Sequence, residues 1–290
     1  MLSVEHLQAL DYLLWLGSET RAAGLAECNQ STICRRAKQA AQILSLKLIK
    51  TNHEWRTSEA SILLNLERHL HQLLRFTRND RLRLESDHWV GKQVTTCLPS
   101  AWIHGTPGRL GIAKPMQLLQ ERILDAWISC TKADLPTDDD PVYQAYELAT
   151  TPLQLACAIN HPLARCSQLS SNDLEQFPSL SLESHLYPKF SDQMRLKGLW
   201  TDTCLMRSHH FEQWEGKAMG SLSTIPVNSL STDRRAKLIT LDFDLEIDDC
   251  VAIVVLKENS EQPAIHQLLE SMQQWLLGMA QLDNRLRLTL

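Results

Sequence analysis

Apolar residues recur with helical spacing in two short stretches between positions 16 and 49, and a polar break separates the two. Ser18 and Thr20 can cap the first stretch, and Asn29 can cap the second. In the second stretch one face carries Ile33, Ala37 and Ala40, and the other carries mostly polar and basic residues, namely Gln30, Ser31, Thr32, Arg35, Arg36 and Lys38. The pattern predicts a helix-turn-helix, although a three-helix core element with a solvated polar face has the same spacing.

A short hairpin is predicted directly after the second helix, in the segment LIKTNHEWRTSEAS. The turn is expected at Asn52 and His53, and Thr57 or Ser58 is expected to begin another helix. A hairpin at this place is a wing. Polar and basic side chains near the start of the second helix can reach base edges and phosphates of double-stranded DNA. The candidate DNA-binding residues are Asn29, Gln30, Ser31, Thr32, Cys34, Arg35, Arg36, Lys38, His53 and Arg56.

A leucine stripe follows the wing in the segment SEASILLNLERHLHQLLRFTRNDR. Its members are spaced three, four and three residues apart, at Leu63, Leu66, Leu70 and Leu73. This is the a/d spacing of a coiled coil, and a helix buried within its own chain gives the same pattern. Because helix-turn-helix proteins commonly read two half-sites as dimers, we favour a dimerisation helix.

From about residue 81 the pattern changes to short apolar strands that alternate with helices. Strands are predicted at 81–86, 109–113, 126–129, 152–159 and 250–256, and a helix is predicted before the third of these. Alternation of this kind favours parallel sheets covered by helices. The length of this part of the chain favours two α/β lobes rather than one.

Hydroxyl and carboxyl side chains lie where the predicted strands end. In open parallel sheets, ligands bind beyond the carboxyl ends of the strands, and hydroxyls with free helix N-termini there suit an anionic effector. The candidate effector-binding residues are Ser86, Asp87, Ser129, Thr131, Thr201 and Thr203. The same residue types also serve as ordinary caps and turn residues, and that interpretation stays open for each of them.

Two segments make the chain resemble the LysR-type transcriptional regulators. GSETRAAGLAECNQSTICRRAKQAAQILSLKLIK aligns without a gap to the helix-turn-helix motif of that family, and ELATTPLQLACAINHPLA is similar to its crossover segment that ends in HPLA. Ser31 stands where the family usually has proline, and Cys34 stands where it usually has serine. These departures bear on sequence preference and DNA affinity rather than on the fold.

The resemblance implies an α/β chain with three parts. Residues 1–58 are expected to form a winged helix-turn-helix, and residues 59–80 a linker helix that pairs with a second chain. Residues 81–290 are expected to form a periplasmic-binding-protein-like effector domain, with lobe I at about 81–155 and 258–290 and lobe II at about 156–257. It further implies that a small-molecule effector binds in the cleft between the lobes, and that the chain assembles as a dimer or tetramer.

Charge and cysteine content agree with this organisation. Residues 1–84 carry 12 Lys and Arg against 8 Asp and Glu, whereas the whole chain has a net charge of −5. A basic N-terminal part before an acidic remainder is typical of a head that binds a polyanion. The eight cysteines form no CxxC pair, and no stretch approaches the roughly 18 apolar residues of a membrane span. We therefore expect reduced thiols, a cytoplasmic location and no membrane partner.

Sequence motifs of enzymes and metal sites give little support to those classes of function. HExxH and GxSxG are both absent from the sequence, so we expect no enzyme. His209, His210 and Cys204 lack the spacing of metal ligands, and we expect neither metal nor cofactor. The favoured function is a dimeric regulator that binds promoter DNA and senses an effector. The alternative is an interaction or small-molecule-binding protein that has the fold without specific operator recognition.

Overall fold

The computed structural model describes residues 2–51, 54–58, 61–105, 108–203, 213–214, 216–217, 222–234 and 238–289. The chain divides into two compact units. Unit 1 consists of residues 1–84, 100–106 and 116–125, and unit 2 consists of residues 85–99, 107–115 and 126–290. Unit 1 therefore combines the N-terminal part of the chain with two short segments from later in the sequence.

Unit 1 begins with a winged helix-turn-helix, as the sequence predicted. Its helices are α1 (Val4–Leu16), α2 (Glu19–Leu25) and α3 (Gln30–Ile43). Its wing is the antiparallel pair β1 (Leu48–Thr51) and β2 (Glu54–Thr57). Ser18 and Asn29 accept hydrogen bonds from backbone N–H groups in the first turns of α2 and α3, which confirms both caps, whereas Thr20 lies inside α2.

Helix α4 (Ile62–Arg78) begins later than predicted. Ser58 does not cap it, because its backbone N–H donates to the Lys47 carbonyl at 2.9 Å and its Oγ accepts from the Lys47 N–H at 3.1 Å. These two bonds close the base of the wing. Ser61 caps α4 instead, since its Oγ accepts from the Leu64 N–H at 3.3 Å. After α4, strand β3 (Leu82–Ser86) pairs in parallel with β4 (Trp102–His104), so the strand predicted at 81–86 is confirmed.

Strand β3 begins in unit 1 and its last two residues, Glu85 and Ser86, belong to unit 2, as do all the later strands except β4. These later strands are β5 (Ala126–Ser129), β6 (Tyr143–Pro152), β7 (Gln154–Ala158), β8 (Leu180–Ser181), β9 (Asp202–Thr203), β10 (Thr224–Val227), β11 (Leu238–Thr240), β12 (Asp248–Leu256) and β13 (Arg287–Leu288). Strand β12 pairs with β5 and β6, and β13 pairs with β6. In a smaller sheet β7 lies between β10 and β11. The strands predicted at 126–129, 152–159 and 250–256 are thereby confirmed.

Further helices follow α4 along the chain. They include α5 (Ala113–Gln120), α6 (Ser171–Glu175), α7 (Pro188–Leu196) and α8 (Pro263–Leu282). Strand β12 forms much of the core of unit 2, because its residues from Asp249 to Leu256 are all buried. Helix α8 buries one face, with Ile265, Leu268 and Met272. None of the helices in the described ranges is both long and apolar enough to cross a membrane.

Two expectations about the strands were wrong. The sheets are not mainly parallel, because β12 is antiparallel to both of its neighbours and β7 is antiparallel to both of its own. The apolar composition of a strand indicates burial on both faces but carries no information on direction. Residues 109–113 form no strand, because Gly111 has φ +97° and Ala113 already begins α5. A Cβ at Gly111 would lie 2.8 Å from Leu186 Cδ2, so the chain needs glycine there.

The HPLA segment has a structural role in unit 2. Nδ1 of the buried His161 accepts a hydrogen bond from the Leu163 N–H at 3.1 Å. This bond begins a short 3-10 helix, Pro162–Arg165, with proline in its first turn. The histidine and the proline of this motif therefore start a turn of helix after β7.

Candidate functional site

The first turn of α3 is held by hydrogen bonds among its candidate DNA-binding residues. Asn29 Oδ1 accepts from the Thr32 N–H and from Ser31 Oγ, both at 2.8 Å. Gln30 Nε2 donates to Thr20 Oγ1 on α2 at 2.6 Å. These contacts fix the start of α3 against α2, so the end of the helix that would enter a groove is preorganised.

The two faces of α3 divide as the sequence predicted. The apolar face is fully buried at Ile33, Ala37 and Ala40. Arg35 and Lys38 are exposed, and Arg36 is half-buried. Burial raises the pKa of the Cys34 thiol, with a further contribution from Glu19, so this residue is neutral near pH 7. The solvent-exposed face of α3 is therefore positively charged, and α3 itself contains no Asp or Glu that would neutralise it.

The wing carries one exposed arginine and one lysine that is bound internally. Arg56 is exposed and lies 3.4 Å from Glu54. Lys50 Nζ lies 3.2 Å from Glu19 Oε1 and 5.1 Å from the centre of the Trp55 ring. An ion pair and a cation–π contact thus hold Lys50 to its own chain. Arg56 is the more exposed of the two cations and is the better placed to contact DNA. His53 lies outside the described residues.

The leucine stripe lies on the outer face of α4. Leu63 and Leu66 are both 62% exposed, Leu70 is 46% exposed and Leu73 is 42% exposed. The opposite face of the helix is buried, at Leu64, Arg68, Gln72 and Phe76. A leucine stripe packed inside its own chain would be hidden, so the structure does not follow that alternative.

Polar side chains on the inner face of α4 join a buried group that we name the arginine cluster, which consists of Asp11, Arg68, Arg75, Arg83 and Asp125. Asp11 on α1 accepts from Arg68 Nε at 2.9 Å and from Arg83 Nη1 at 3.0 Å. Asp125 accepts from Arg75 Nε at 2.9 Å and from Arg75 Nη2 at 2.8 Å. These charge-assisted bonds tie α1, α4 and β3 together within unit 1.

Neighbouring groups shift the pKa values of the arginine cluster. Burial opposes the charge of Arg75, but Asp125, Asp11 and Tyr12 together outweigh it and raise the pKa of that guanidinium. Burial and then the like charge of Arg75 lower the pKa of Arg83. Arg83 is therefore the cation of the cluster whose charge is least well compensated. The sequence analysis missed this cluster; its signal was the four-residue spacing of Leu64, Arg68, Gln72 and Phe76, which places two polar residues on a buried helix face.

Four of the six candidate effector-binding residues lie together in unit 2. Ser86 and Ser129 are the last residues of β3 and β5, and the Asp87 N–H donates to the Ile128 carbonyl at 2.8 Å. The Thr131 N–H donates to Ser129 Oγ at 3.4 Å. All four of these candidates, Ser86, Asp87, Ser129 and Thr131, are almost fully buried, whereas Thr201 is exposed. The Thr203 side chain lies outside the description.

Asp87 belongs to a second buried group, which we name the aspartate cluster and which consists of Asp87, Tyr187, Asn228 and Asp249. Tyr187 donates to Asp87 Oδ2 at 3.5 Å, and Asn228 Nδ2 donates to Asp249 Oδ2 at 3.5 Å. Asp249 Oδ1 accepts from the Lys132 N–H at 3.1 Å. Burial, and then the charge of Asp87, raise the pKa of Asp249 to about 8. Asp249 therefore holds a proton at neutral pH.

Aromatic rings pack against one another next to Asp87, beginning with His88 and Trp89. Trp89 lies 6.3 Å from Trp214, which lies 6.2 Å from Trp200, between ring centres. Phe190 lies 5.2 Å from Trp200, and His88 lies 4.0 Å from Trp89. Edge-to-face packing at these distances is favourable. A ligand at Ser86 and Asp87 would have to displace or rearrange side chains in this region.

Comparison with solved structures identifies the fold. The chain is similar to a full-length OxyR variant from Pseudomonas aeruginosa, at 15% identity and a TM-score of 0.54 over 94% of this chain and 98% of that one. It is similar to a cysteine-to-serine mutant of Corynebacterium glutamicum OxyR with bound H2O2, at 13% identity and a TM-score of 0.55 over 97% and 95%. It is also similar to full-length CbnR in complex with its target DNA, at 14% identity and a TM-score of 0.54 over 93% and 98%.

The likeness extends over nearly the whole chain in each case, while the sequences have diverged widely. CbnR is described as a LysR family transcriptional regulator. No family model and no curated protein matches the sequence. The chain therefore has the fold of these full-length structures: a winged helix-turn-helix, a long helix and an α/β part.

Proposed function

We propose that this chain is a transcription regulator of LysR type that binds promoter DNA through α3 and the wing. The single observation that carries the proposal is the build of α3, a capped helix with a buried apolar face and an exposed basic face directly before a two-stranded wing. The similarity to CbnR, whose structure was solved with its target DNA, supports it. Arg35, Arg36 and Lys38 contact bases or phosphates in the major groove. Arg56 contacts the backbone beside it.

Selection of bound DNA tests this function. The purified full chain is mixed with fragments of the genome that encodes it, and the retained fragments are sequenced. We expect a small set of intergenic fragments with two related half-sites, because a dimer reads two turns of the helix. Retention of no fragment above the background of an Arg35→Ala/Arg36→Ala double variant would contradict the proposal and favour a binding protein without operator recognition.

The dimer is the second part of the proposal, and it uses the leucine stripe. Leu70→Glu places a charge in an apolar contact between two chains, where each buried leucine contributes about 2 kcal/mol. We expect the dimer dissociation constant to rise at least about a hundredfold by sedimentation, without loss of helix content. Asn65→Glu, on the same helix and exposed but outside the stripe, is the matched control. A Leu70→Glu chain that stays dimeric would refute this contact.

The third part is an effector at the strand ends of unit 2, in contact with Ser86, Asp87, Ser129, Thr131, Thr201 and Thr203. An anionic effector there is compatible only with the protonated form of Asp249, because a negative charge on Asp249 would repel the anion. We therefore expect an anion that stabilises the chain at pH 7 to lose affinity above about pH 8. A thermal-shift screen of metabolites at both pH values checks this, and equal stabilisation at both would contradict the placement of the anion.

A further inference from the structure

A pocket of about 190 Å³ lies in unit 1 between the start of α1, the end of α4 and the beginning of β3. Four arginines line it, Arg75, Arg78, Arg81 and Arg83, with a single acidic residue, Asp80. Its volume is close to that of a cavity of about 150 Å³ known to take benzene in another protein. The pocket is therefore large enough for a small organic molecule rather than for water alone.

Two of these arginines have a guanidinium N–H group without a hydrogen-bond acceptor among the described residues. The Nε–H groups of Arg81 and Arg83 are buried and have no hydrogen-bond partner in the described part of the chain. Arg83 is 4% exposed, and its remaining bonds go to Asp11 and to the Ile123 carbonyl. A buried donor left without a partner is costly, so native proteins rarely keep one unless water or a ligand supplies an acceptor.

The local charge also favours an added anion. Asp125 is already occupied by Arg75, and Asp11 is shared between two arginines. In the part of the chain that the structure describes, Arg81 contacts the Tyr12 hydroxyl, the Leu25 carbonyl and, at 3.8 Å, the exposed Glu27. The pKa of Arg83 is lowered by its burial and by Arg75. A bound anion would relieve that repulsion.

The remaining walls are of mixed character. Val4 on α1 and Leu74 on α4 are apolar, and Gln8 and His71 are polar. Burial lowers the pKa of His71, so this ring is neutral at pH 7 and adds no charge. Small-molecule sites commonly combine an apolar wall with a few convergent polar groups, and arginine pairs bidentately with carboxylates.

We propose that this pocket binds a small monocarboxylate, with the carboxylate on the arginines and an apolar body against Val4 and Leu74. The site differs from the effector cluster of unit 2, since all of its residues belong to unit 1. The pocket is lined by α1 of the winged domain and by α4, so a ligand bound there modulates DNA binding. Only this effect on DNA binding rests on the proposed function.

Calorimetric titration of the full chain, without DNA and at constant ionic strength, tests the site. Phenylacetate, neutral phenylacetamide and inorganic phosphate are the three probes. We expect phenylacetate to bind at one site per chain and at least tenfold more tightly than either of the others. Equal binding of the acid and the amide, tighter binding of phosphate, or no binding of phenylacetate would each overturn the proposal.

Variants locate the binding. Arg78→Gln, at the exposed rim, should weaken phenylacetate binding about tenfold, as expected for loss of one charge-assisted contact. Leu74→Trp should abolish it by filling the pocket, provided that thermal unfolding shows a folded chain. Arg165→Gln, a variant at an arginine of unit 2 that lies far from the pocket in sequence, is the matched control and should bind as wild type. Unchanged binding in both pocket variants would refute the assigned site.

The two proposals fail in distinguishable ways. If phenylacetate binds with these variant effects but the chain retains no DNA, the pocket stands and the regulator function falls. If DNA is retained but phenylacetate does not bind, the pocket falls and the regulator function stands.

Discussion

Asp11 and Asp249 are both almost fully buried, yet their surroundings are opposite. In the arginine cluster Asp11 lies between two guanidinium groups, at 2.9 and 3.0 Å. In the aspartate cluster Asp249 meets a backbone N–H, an asparagine amide and the field of a second carboxyl group. The first arrangement surrounds the carboxyl group with positively charged donors, whereas the second raises the pKa of the acid and favours its protonated form.

The difference assigns separate roles to the two clusters. Paired charges fix α1 to α4 and β3, because removing either aspartate leaves buried guanidinium groups without their carboxylate. A protonated aspartic acid can instead donate a hydrogen bond and can change its charge within the ordinary pH range. The arginine cluster is thus a junction held by paired charges, whereas the aspartate cluster is responsive to pH.

The largest expected effect on stability follows from removing an aspartate of the arginine cluster. Asp11→Ala leaves Arg68 and Arg83 without their shared carboxylate, and it should lower the free energy of unfolding by about 3–5 kcal/mol. Urea denaturation at pH 7 measures this. A loss below about 1 kcal/mol would mean that the cluster contributes no more than a surface ion pair.

The pH dependence of the free energy of unfolding distinguishes the aspartate cluster from the arginine cluster. Asp249 has a folded-state pKa of about 8, above the roughly 3.9 of an unfolded chain, so the native state retains a proton that the unfolded state has lost. Its contribution to stability is therefore complete below about pH 4 and disappears as the pH rises to about 8. From pH 5 to pH 8 the wild type should lose up to about 4 kcal/mol relative to Asp249→Asn. Parallel curves for the two proteins would contradict the assignment.

The smallest expected effect tests whether burial determines how much an ion pair of the arginine cluster contributes to stability. Glu121 accepts from Arg68 Nη1 at 2.9 Å, but its side chain is 30% exposed. Glu121→Gln keeps an acceptor at that position and water can solvate the guanidinium, so we expect a loss of about 1 kcal/mol or less. The same urea experiment checks it. A loss as large as that of Asp11→Ala would mean that charge count, rather than burial, governs this cluster.

Local patterns were sufficient to predict the winged domain and the outer face of α4. The caps Ser18 and Asn29, the apolar spacing of α3 and the leucine repeat all act between residues a few positions apart, and each was visible in the sequence. The start of α4 was missed because Ser58 is bound to Lys47 across the wing. A competing tertiary hydrogen bond of this kind has no local signature.

Long-range pairing could not be predicted. The bond between Asp11 and Arg83 joins residues 72 positions apart, and each looks like an ordinary surface residue in its own segment. The same limit applies to the antiparallel direction of β12 and to the aromatic rings beside Asp87. The strand ends indicated Ser86, Asp87, Ser129 and Thr131 as a group, but their almost complete burial depends on residues far along the chain, among them Tyr187 and Asp249.

The salt dependence of DNA binding tests the central claim most directly. With a fragment recovered by selection, the logarithm of the wild-type affinity should fall linearly with the logarithm of salt concentration. Arg35→Ala and Arg36→Ala should each reduce the magnitude of that slope by about 1, as expected for loss of one phosphate contact, whereas Arg165→Ala should leave it unchanged. If both α3 variants bind as wild type at every salt concentration, α3 is not the DNA-binding helix and the proposed function is wrong.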